Sequence, residues 1–234
     1  MIIGNGLIAS LFKDYKKNDC VFFASGVSNS LETDEKQFLR EENLILETIN
    51  MFPDLIFVYF STCSIYDSTK KESAYVLHKL KMEQLIKNNS RRWLILRVSN
   101  AVGNGGNPHL LMNYLVRSVK NSETINVHTK ATRNLIDTAD IKAICLNLIE
   151  NHTENHILNI AYLSNYSIIE IVEIMEQYFD KKIELNLIKS GSGYDIEISE
   201  IENYFFKNHL DNKEKYLKKI LDNYYSDKLC NNIN

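Results

Sequence analysis

The chain has 234 residues, enough for one sizeable α/β domain with a small second lobe but not for two domains of ordinary size. Hydrophobic residues make up 44% of it, with 8 Gly and 2 Pro, which excludes a disordered or fibrous chain; a net charge of -3 with intermixed signs provides no footprint for nucleic acid or a membrane surface. The four cysteines, Cys20, Cys63, Cys145 and Cys230, are scattered without a CxxC pair, so neither a zinc knuckle nor a disulfide framework is written here, and no metal site is expected.

In chain order, the first predicted element is a short strand, Met1 to Ile3, followed by a helical pattern from Leu7 to Tyr15. Met1 leads straight into the strand without a charged region and apolar signal core, and no apolar run approaches the ~18 residues of a membrane span, so a cytoplasmic location is expected. Between strand and helix, Gly4, Gly6 and Ala9 spell GxGxxA: a glycine for the tight turn, a glycine that lets backbone approach a pyrophosphate, and a small residue for close helix packing. The free N–H groups at the helix start, Leu7 and Ile8, are then candidates for the phosphates. A plain structural turn is the competing reading. A second strand, Cys20 to Ala24, follows almost at once, and no Asp or Glu stands at its end to hold an adenosine ribose.

A helix over Asp34 to Met51 precedes the strand Leu55 to Ser61, which runs into "STCSIYDS"; the next helix spans Tyr75 to Lys87. Tyr75 and Lys79, at i and i+4, share one helix face, so the ammonium can favour the ionised phenol by charge attraction. Such a phenol exchanges a proton with an alcohol or sugar oxygen while hydride moves at carbon. Thr62, at a strand's carboxyl end, is placed to hydrogen-bond the same oxygen. YxxxK alone discriminates little, because Tyr66 with Lys70, Tyr178 with Lys182 and Tyr224 with Lys228 also satisfy it. Only Tyr75 with Lys79 opens a helix a short loop after a strand ending in Ser-Thr. The competing reading makes Tyr75 an ordinary amphipathic-helix residue and Lys79 its solvated neighbour.

Further on come a strand, Trp93 to Val98, the loop "NAVGNGGNPH", a helix, Leu110 to Val119, and a strand, Thr124 to His128. After "ATRNLIDTADIKAICLNLIE" follow a strand, His156 to Ala161, a helix, Ile168 to Phe179, that Ser167 can cap, and a lysine-rich helical tail from Glu200. Alternating strands and helices imply a parallel sheet covered on both faces, with ligands beyond the strands' carboxyl ends. The expected architecture is a Rossmann-like α/β core over 1–122 and a small substrate lobe with the helical tail over 123–234, the boundary soft and the lobes interleaved.

These residues resemble the extended short-chain dehydrogenase/reductase family, in particular the NAD-dependent epimerase/dehydratase group that acts on nucleotide sugars. The resemblance runs from Gly4 to about Gln177. "CVFFASG" is similar to the family's fourth strand and its cofactor-contacting turn, "REENLILETIN" to the helix after it, and "FSTCSIY" to the strand bearing the Ser or Thr. "SAYVLHKLKMEQLI" is similar to the Tyr-Lys helix, "ILRVSNAVG" to "LRxxNxxG", "TRNLIDTADIKAI" to "RDxIHVxD", and "HILNIA" to a late "YNIG" strand. The resemblance implies Gly4, Gly6, Leu7, Ile8, Ala24, Ser25, Gly26, Tyr75 and Lys79 around NAD or NADP.

The departure is at the front. Two strands and their helices, which the family places between the glycine turn and the "ASG"-like turn, are absent, and with them the ribose carboxylate and much of the adenine-binding half. A competing assignment makes "CVFFASG" the second strand, with Ser25 and Ser28 contacting a 2′-phosphate, although no arginine is close in sequence. In a sheet so shortened the first strand is an edge. The lysine-rich tail, a second copy of the chain or another partner is expected to cover it.

Dehydratases of the group carry "TDE" after the strand; Cys63 and Ser64 stand there instead, which argues against elimination of water and leaves epimerase or reductase chemistry. Cys63 is a candidate second acid/base group or else a small buried residue, and His109, after the glycine-rich loop, is its candidate partner or else merely exposed. The resemblance puts Ser64, Asn100 and Arg133 with His109 near the substrate, Asn100 and Arg133 at a nucleotide diphosphate. Arg133 has a second reading as an ion pair with Asp137 or Asp140. The family's second arginine is not evident in "IKSGSGYDIE", where Lys189 is the nearest cation. The reaction so implied is NAD(P)-dependent epimerisation or reduction of a nucleotide-linked sugar, for surface-polysaccharide synthesis; the alternative is a noncatalytic member that binds a sugar nucleotide or a partner protein.

Overall fold

The computed structural model describes residues 1–105 and 110–226. They fall into two compact units: the first holds Met1–Ser99, Thr138–Ile160 and Ile196–Ile198, and the second the described residues within Asn100–Asp137, Ala161–Asp195 and Ser199–Asn234. The chain leaves the first unit at Asn100 and returns to it for one helix, one strand and the short segment Ile196–Ile198.

The first unit begins with β1 (Ile2–Ile3), α1 (Leu7–Ser10), β2 (Cys20–Phe23), α2 (Glu35–Met51), β3 (Ile56–Thr62) and a single 3₁₀ turn, Cys63–Tyr66. It continues with α3 (Ala74–Asn89) and β4 (Trp93–Val98). Asp34 caps α2 through the N–H of Lys36, and Ser73 caps α3 through that of Val76, so both helices start on side-chain oxygens. α1 is shorter than its periodicity suggests. After one turn the bonds tighten to i→i+3, Leu11 N–H to Ile8 and Phe12 N–H to Ala9, and the chain turns Phe12 inward, stacked 4.0 Å from Phe22.

The second unit carries β5 (Asn100–Val102), α4 (Leu111–Asn121), β6 (Ile125–His128), β7 (Thr132–Arg133) and β8 (Leu135–Asp137). The chain then returns to the first unit with α5 (Thr138–Glu150) and β9 (His156–Ile160), and finishes the second with β10 (Tyr166–Ser167), α6 (Ile168–Phe179), β11 (Leu185–Ile188), α7 (Glu202–Lys207) and α8 (Lys213–Tyr224). Ser167 and Glu170 form a reciprocal capping box at the head of α6.

In the first unit, five parallel strands form one sheet in the order β1-β2-β3-β4-β9. Every residue of β2 and β3 is buried, which is why both read as unbroken apolar runs rather than alternating ones. On one face Phe23, Phe57, Tyr59 and Ile95 pack with Ile45 and Ile49 of α2 and Met82 and Ile86 of α3.

The strand order separates the two assignments of "CVFFASG". In the doubly wound order 3-2-1-4-5-6, the second strand lies on the far side of the first from the fourth. β2 lies between β1 and β3, in the fourth strand's place. β1 is an edge, and no described strand pairs with its outer side. Within the second unit the apolar face of the described tail is engaged: Tyr216 of α8 stacks 3.9 Å from Tyr162, and Phe205 of α7 meets the same ring edge-on.

Candidate functional site

At the carboxyl ends of β1 and β2 two turns meet. Gly4 holds φ +121, and a Cβ there would lie 2.5 Å from the Ala24 carbonyl oxygen, so the first turn closes on the second only because the residue is glycine. Gly6 precedes α1 with nothing within 4 Å of where its side chain would be, leaving its backbone open to a ligand. Helix α1 has one turn, so its dipole adds little, and the exposed backbone itself is the attraction for a phosphate. These turns fit the pyrophosphate of a dinucleotide; the carboxylate beside the second turn, Glu41, is buried and taken by Val27, Tyr59, His78 and Lys79 rather than offered to a ribose.

Ser25 has a partner the sequence reading missed. Arg40, from α2, donates through Nη1 to Ser25 Oγ at 3.3 Å and through Nη2 to the Ser25 carbonyl at 3.0 Å. It is fifteen residues away along the chain but adjacent in space.

Gly26 borders the Lys79 ammonium: a Cβ on it would come within 2.7 Å of Nζ and 2.8 Å of Glu41 Oε1. Lys79 does not sit as a lone charge. Its Nζ donates to Glu41 Oε1 at 3.2 Å, to the Tyr59 hydroxyl at 3.0 Å and to the Phe60 carbonyl at 3.4 Å. Glu41 also accepts from Val27 N–H at 2.6 Å, from Tyr59 at 2.7 Å, and lies 3.0 Å from His78 Nε2, whose ring stacks on Phe38. Burial by itself would raise the Glu41 carboxyl, but the Lys79 charge and these hydrogen bonds outweigh it and hold the group down at about 2. Burial and the Glu41 charge push the Tyr59 phenol well up, so Tyr59 is a donor to Glu41.

Tyr75, one turn before Lys79, packs with Val27 and Val76 while Phe38 and Ile65 lie against that cluster. Its hydroxyl bonds to nothing among the described residues and is within reach of solvent. The other YxxxK tyrosines are engaged. Tyr66 donates to Asn159 Oδ1 at 3.0 Å and accepts from Arg97, Tyr178 donates to Asp222, and Tyr224 donates to Asp137. Thr62 ends β3 and caps the following turn by accepting from Ser64 N–H at 3.0 Å; Ser64 is half-buried beside it. Helix α3 packs on both β3 and that turn, so Thr62 and Tyr75 belong to one joined piece of structure.

Cys63 has the surroundings of its second reading, a small buried residue. It is wholly buried, its Sγ lies 3.0 Å from the Arg97 carbonyl, and burial pushes the thiol up to about 12 against the pull of Arg97. A thiol so placed is a packing group rather than a neutral-pH acid or base. His109 lies outside the described residues.

Asn100 and Arg133 belong to the second unit. Asn100 Nδ2 donates to the Asn134 carbonyl at 2.7 Å, and Arg133 Nη1 donates to the carbonyls of Thr132 at 2.7 Å and Ser192 at 3.2 Å. Among the described residues Arg133 makes no ion pair with Asp137. Asp137 is instead buried among Tyr224, Asn223 and Lys219.

Parallel strands in this order, with small-residue turns at the ends of the first two, define the dinucleotide-binding class of α/β proteins. Within that class the model of the NAD dependent epimerase/dehydratase family matches residues 4–161, and the chain belongs to this family. The chain matches no curated protein.

Among solved structures it is similar to UDP-glucuronic acid 4-epimerase from Bacillus cereus in complex with UDP-glucuronic acid and NAD, at 19% identity and TM-score 0.65, covering 92% of this chain and 79% of that one. It is likewise similar to RMD from Pseudomonas aeruginosa complexed with NADPH, at 14% identity and TM-score 0.68, over 92% and 84%. A third likeness is to dTDP-glucose 4,6-dehydratase from Bacillus anthracis in complex with NAD, at 17% identity and TM-score 0.61, over 81% and 70%. At these identities the likeness is one of fold. No described helix is long and apolar enough to cross a membrane.

Proposed function

We propose that the chain is an NAD(P)-dependent epimerase or reductase of a nucleotide-linked sugar, with a place in surface-polysaccharide synthesis. One observation carries the reading: among the described residues, only Tyr75 of the four YxxxK tyrosines has a hydroxyl without a partner, and it stands on the helix packed against the strand end that bears Thr62. Solved structures of the same fold supply the ligand class, since they hold NAD or NADPH and, in two cases, UDP-glucuronic acid or UDP-glucose.

In this mechanism Gly4, Gly6, Leu7 and Ile8 receive the pyrophosphate on backbone, while Ala24, Ser25 and Gly26 form the adjoining wall. Tyr75 gives or takes the proton at the sugar oxygen, and Thr62 orients that oxygen by a hydrogen bond. When bound, NAD(P) supplies the hydride chemistry at the neighbouring carbon. Lys79 holds the positive charge next to the site, and Ser64, Asn100 and Arg133 are assigned to the substrate.

A second reading has an observation of its own. An ammonium has three donors, and all three of Lys79 are taken by Glu41, Tyr59 and Phe60. A noncatalytic protein that binds a sugar nucleotide or a partner would tolerate that arrangement unchanged. Calorimetric titration with NADH and NADPH separates the two: heat with either supports the enzyme, and none with either at millimolar cofactor supports the binding protein.

A further inference from the structure

The sequence offers Glu41 as one acidic residue in the charged run "REEN" of an amphipathic helix, where the expected fate of a carboxylate is solvent. The structure instead buries it completely under the β2 turn, with four donors directed at it: Val27 N–H, the Tyr59 hydroxyl, His78 Nε2 and Lys79 Nζ. Its neighbours on α2 face elsewhere, Arg40 to Ser25 and Glu42 to Lys81. From α3 the charged or titratable groups nearby are Tyr75, His78, Lys79 and Glu83; from β3 it is Tyr59. Glu83 is itself occupied by Arg97 and Ser61, so Glu41 is the carboxylate that neutralises Lys79.

The contacts of Lys79 are unequal. Oε1 of Glu41 takes one N–H directly. The Tyr59 hydroxyl accepts a second and donates its own O–H to the same Oε1, closing a three-membered ring of hydrogen bonds. The third N–H points at the Phe60 carbonyl over 3.4 Å, the longest of the set. A ligand hydroxyl that takes the third donor leaves the other two in place.

We propose that Glu41 is the positioning residue of the site: it fixes the Lys79 ammonium beneath Gly26 with two anchored donors and leaves the third to be shared with a bound pyridine nucleotide. This extends the enzymatic reading above and rests on it only for the identity of the ligand. Without the carboxylate, an unpaired interior ammonium turns to water or sheds its proton, and the donor is no longer under the turn. Gly26 then serves a purpose beyond the turn, because any side chain there would occupy the place of the ion pair.

The anchoring is read without any ligand by acylating the folded protein with acetic anhydride and quantifying Lys79 by mass spectrometry against the exposed Lys13. In the native protein Lys79 should react at least about 10-fold more slowly than Lys13, and in Glu41→Gln it should gain most of that factor. Lys79 as reactive as Lys13 in the native protein, or equally protected in Glu41→Gln, overturns the proposal. Should Glu41→Gln not fold, Glu41→Asp, which keeps the charge but withdraws it by one methylene, is read in the same way.

The effect on ligand is read by a double-mutant cycle on NADH and NADPH affinity with Glu41→Gln, Lys79→Met and both together; the double variant replaces a buried pair by neutral groups of similar size. Glu41→Gln should weaken binding about 10-fold with Lys79 present and leave it unchanged in the Lys79→Met background. Equal weakening in both backgrounds would reduce Glu41 to a general support of the fold. A native protein that protects Lys79 but binds neither cofactor leaves the anchoring standing and removes the enzymatic reading instead.

Discussion

Glu83 and Arg97 grip each other at both ends, Oε1 to Nε at 3.0 Å and Oε2 to Nη2 at 2.6 Å. Glu83 belongs to α3 and Arg97 to β4, and Ser61 of β3 adds a hydrogen bond of 2.6 Å to the same carboxylate. Three elements are thus pinned at one buried point, and the pin fixes the helix of Tyr75 against the strand of Thr62. Glu83→Gln should cost about 3–5 kcal/mol, because it leaves a half-buried guanidinium short of its counter-charge. Urea unfolding should show a lowered midpoint with an unchanged slope.

Tyr75→Phe removes one oxygen that bonds to nothing among the described residues, so stability should be nearly unaffected. Turnover should fall about 10²–10⁴-fold if this phenol moves the proton. Tyr66→Phe should do the reverse: its hydroxyl joins Arg97 to Asn159, so the melting temperature drops while turnover per folded molecule stays within a few-fold. The pair of variants, assayed by steady-state kinetics and thermal melts, distinguishes the two YxxxK motifs.

The Glu41 carboxyl is held at about 2 in the folded chain against 4.5 for an ordinary glutamate. A depressed folded value means that its contribution to stability is whole above pH 4.5 and is lost as pH falls from there toward 2. Comparing thermal midpoints of the native protein with the Glu41→Gln, Lys79→Met double variant should show any native advantage shrinking across that window. A difference that stays constant through the window would mean that Glu41 does not titrate with folding.

Arg40 is placed on Ser25 at the end of β2, next to the glycine turn. There the guanidinium braces the turn that carries Ser25. Arg40→Ala should weaken NADH and NADPH binding alike, each by a few-fold, because it loosens that turn under either cofactor. A loss confined to NADPH in calorimetry would instead put Arg40 at a 2′-phosphate.

What the sequence disclosed follows from periodicity and caps. β4 and α6 keep their predicted bounds because an apolar strand and a Ser-capped amphipathic helix are local signals. The short pairs β5 with β8 and β7 with β10 gave none, since two or three residues hold no period and their pairing partners lie more than thirty residues away. α1 was overestimated because Phe12 fits a helical stripe and a turned chain equally well until Phe22 is placed beside it. Thr62, Tyr75 and Lys79 stand out as candidates from their order along one strand-loop-helix segment. Glu41 and Arg40 do not, because their partners come from other elements and nothing in a charged helical run marks which side chain folds inward.

Among the described residues the sheet ends at β1, two residues long, where the resemblance leads one to expect further strands for the adenine half. The free energy of cofactor recognition should accordingly be unevenly distributed over the molecule. In competition experiments nicotinamide mononucleotide should retain most of the affinity of the whole dinucleotide, whereas adenosine monophosphate, meeting open solvent beyond the edge, should displace almost nothing.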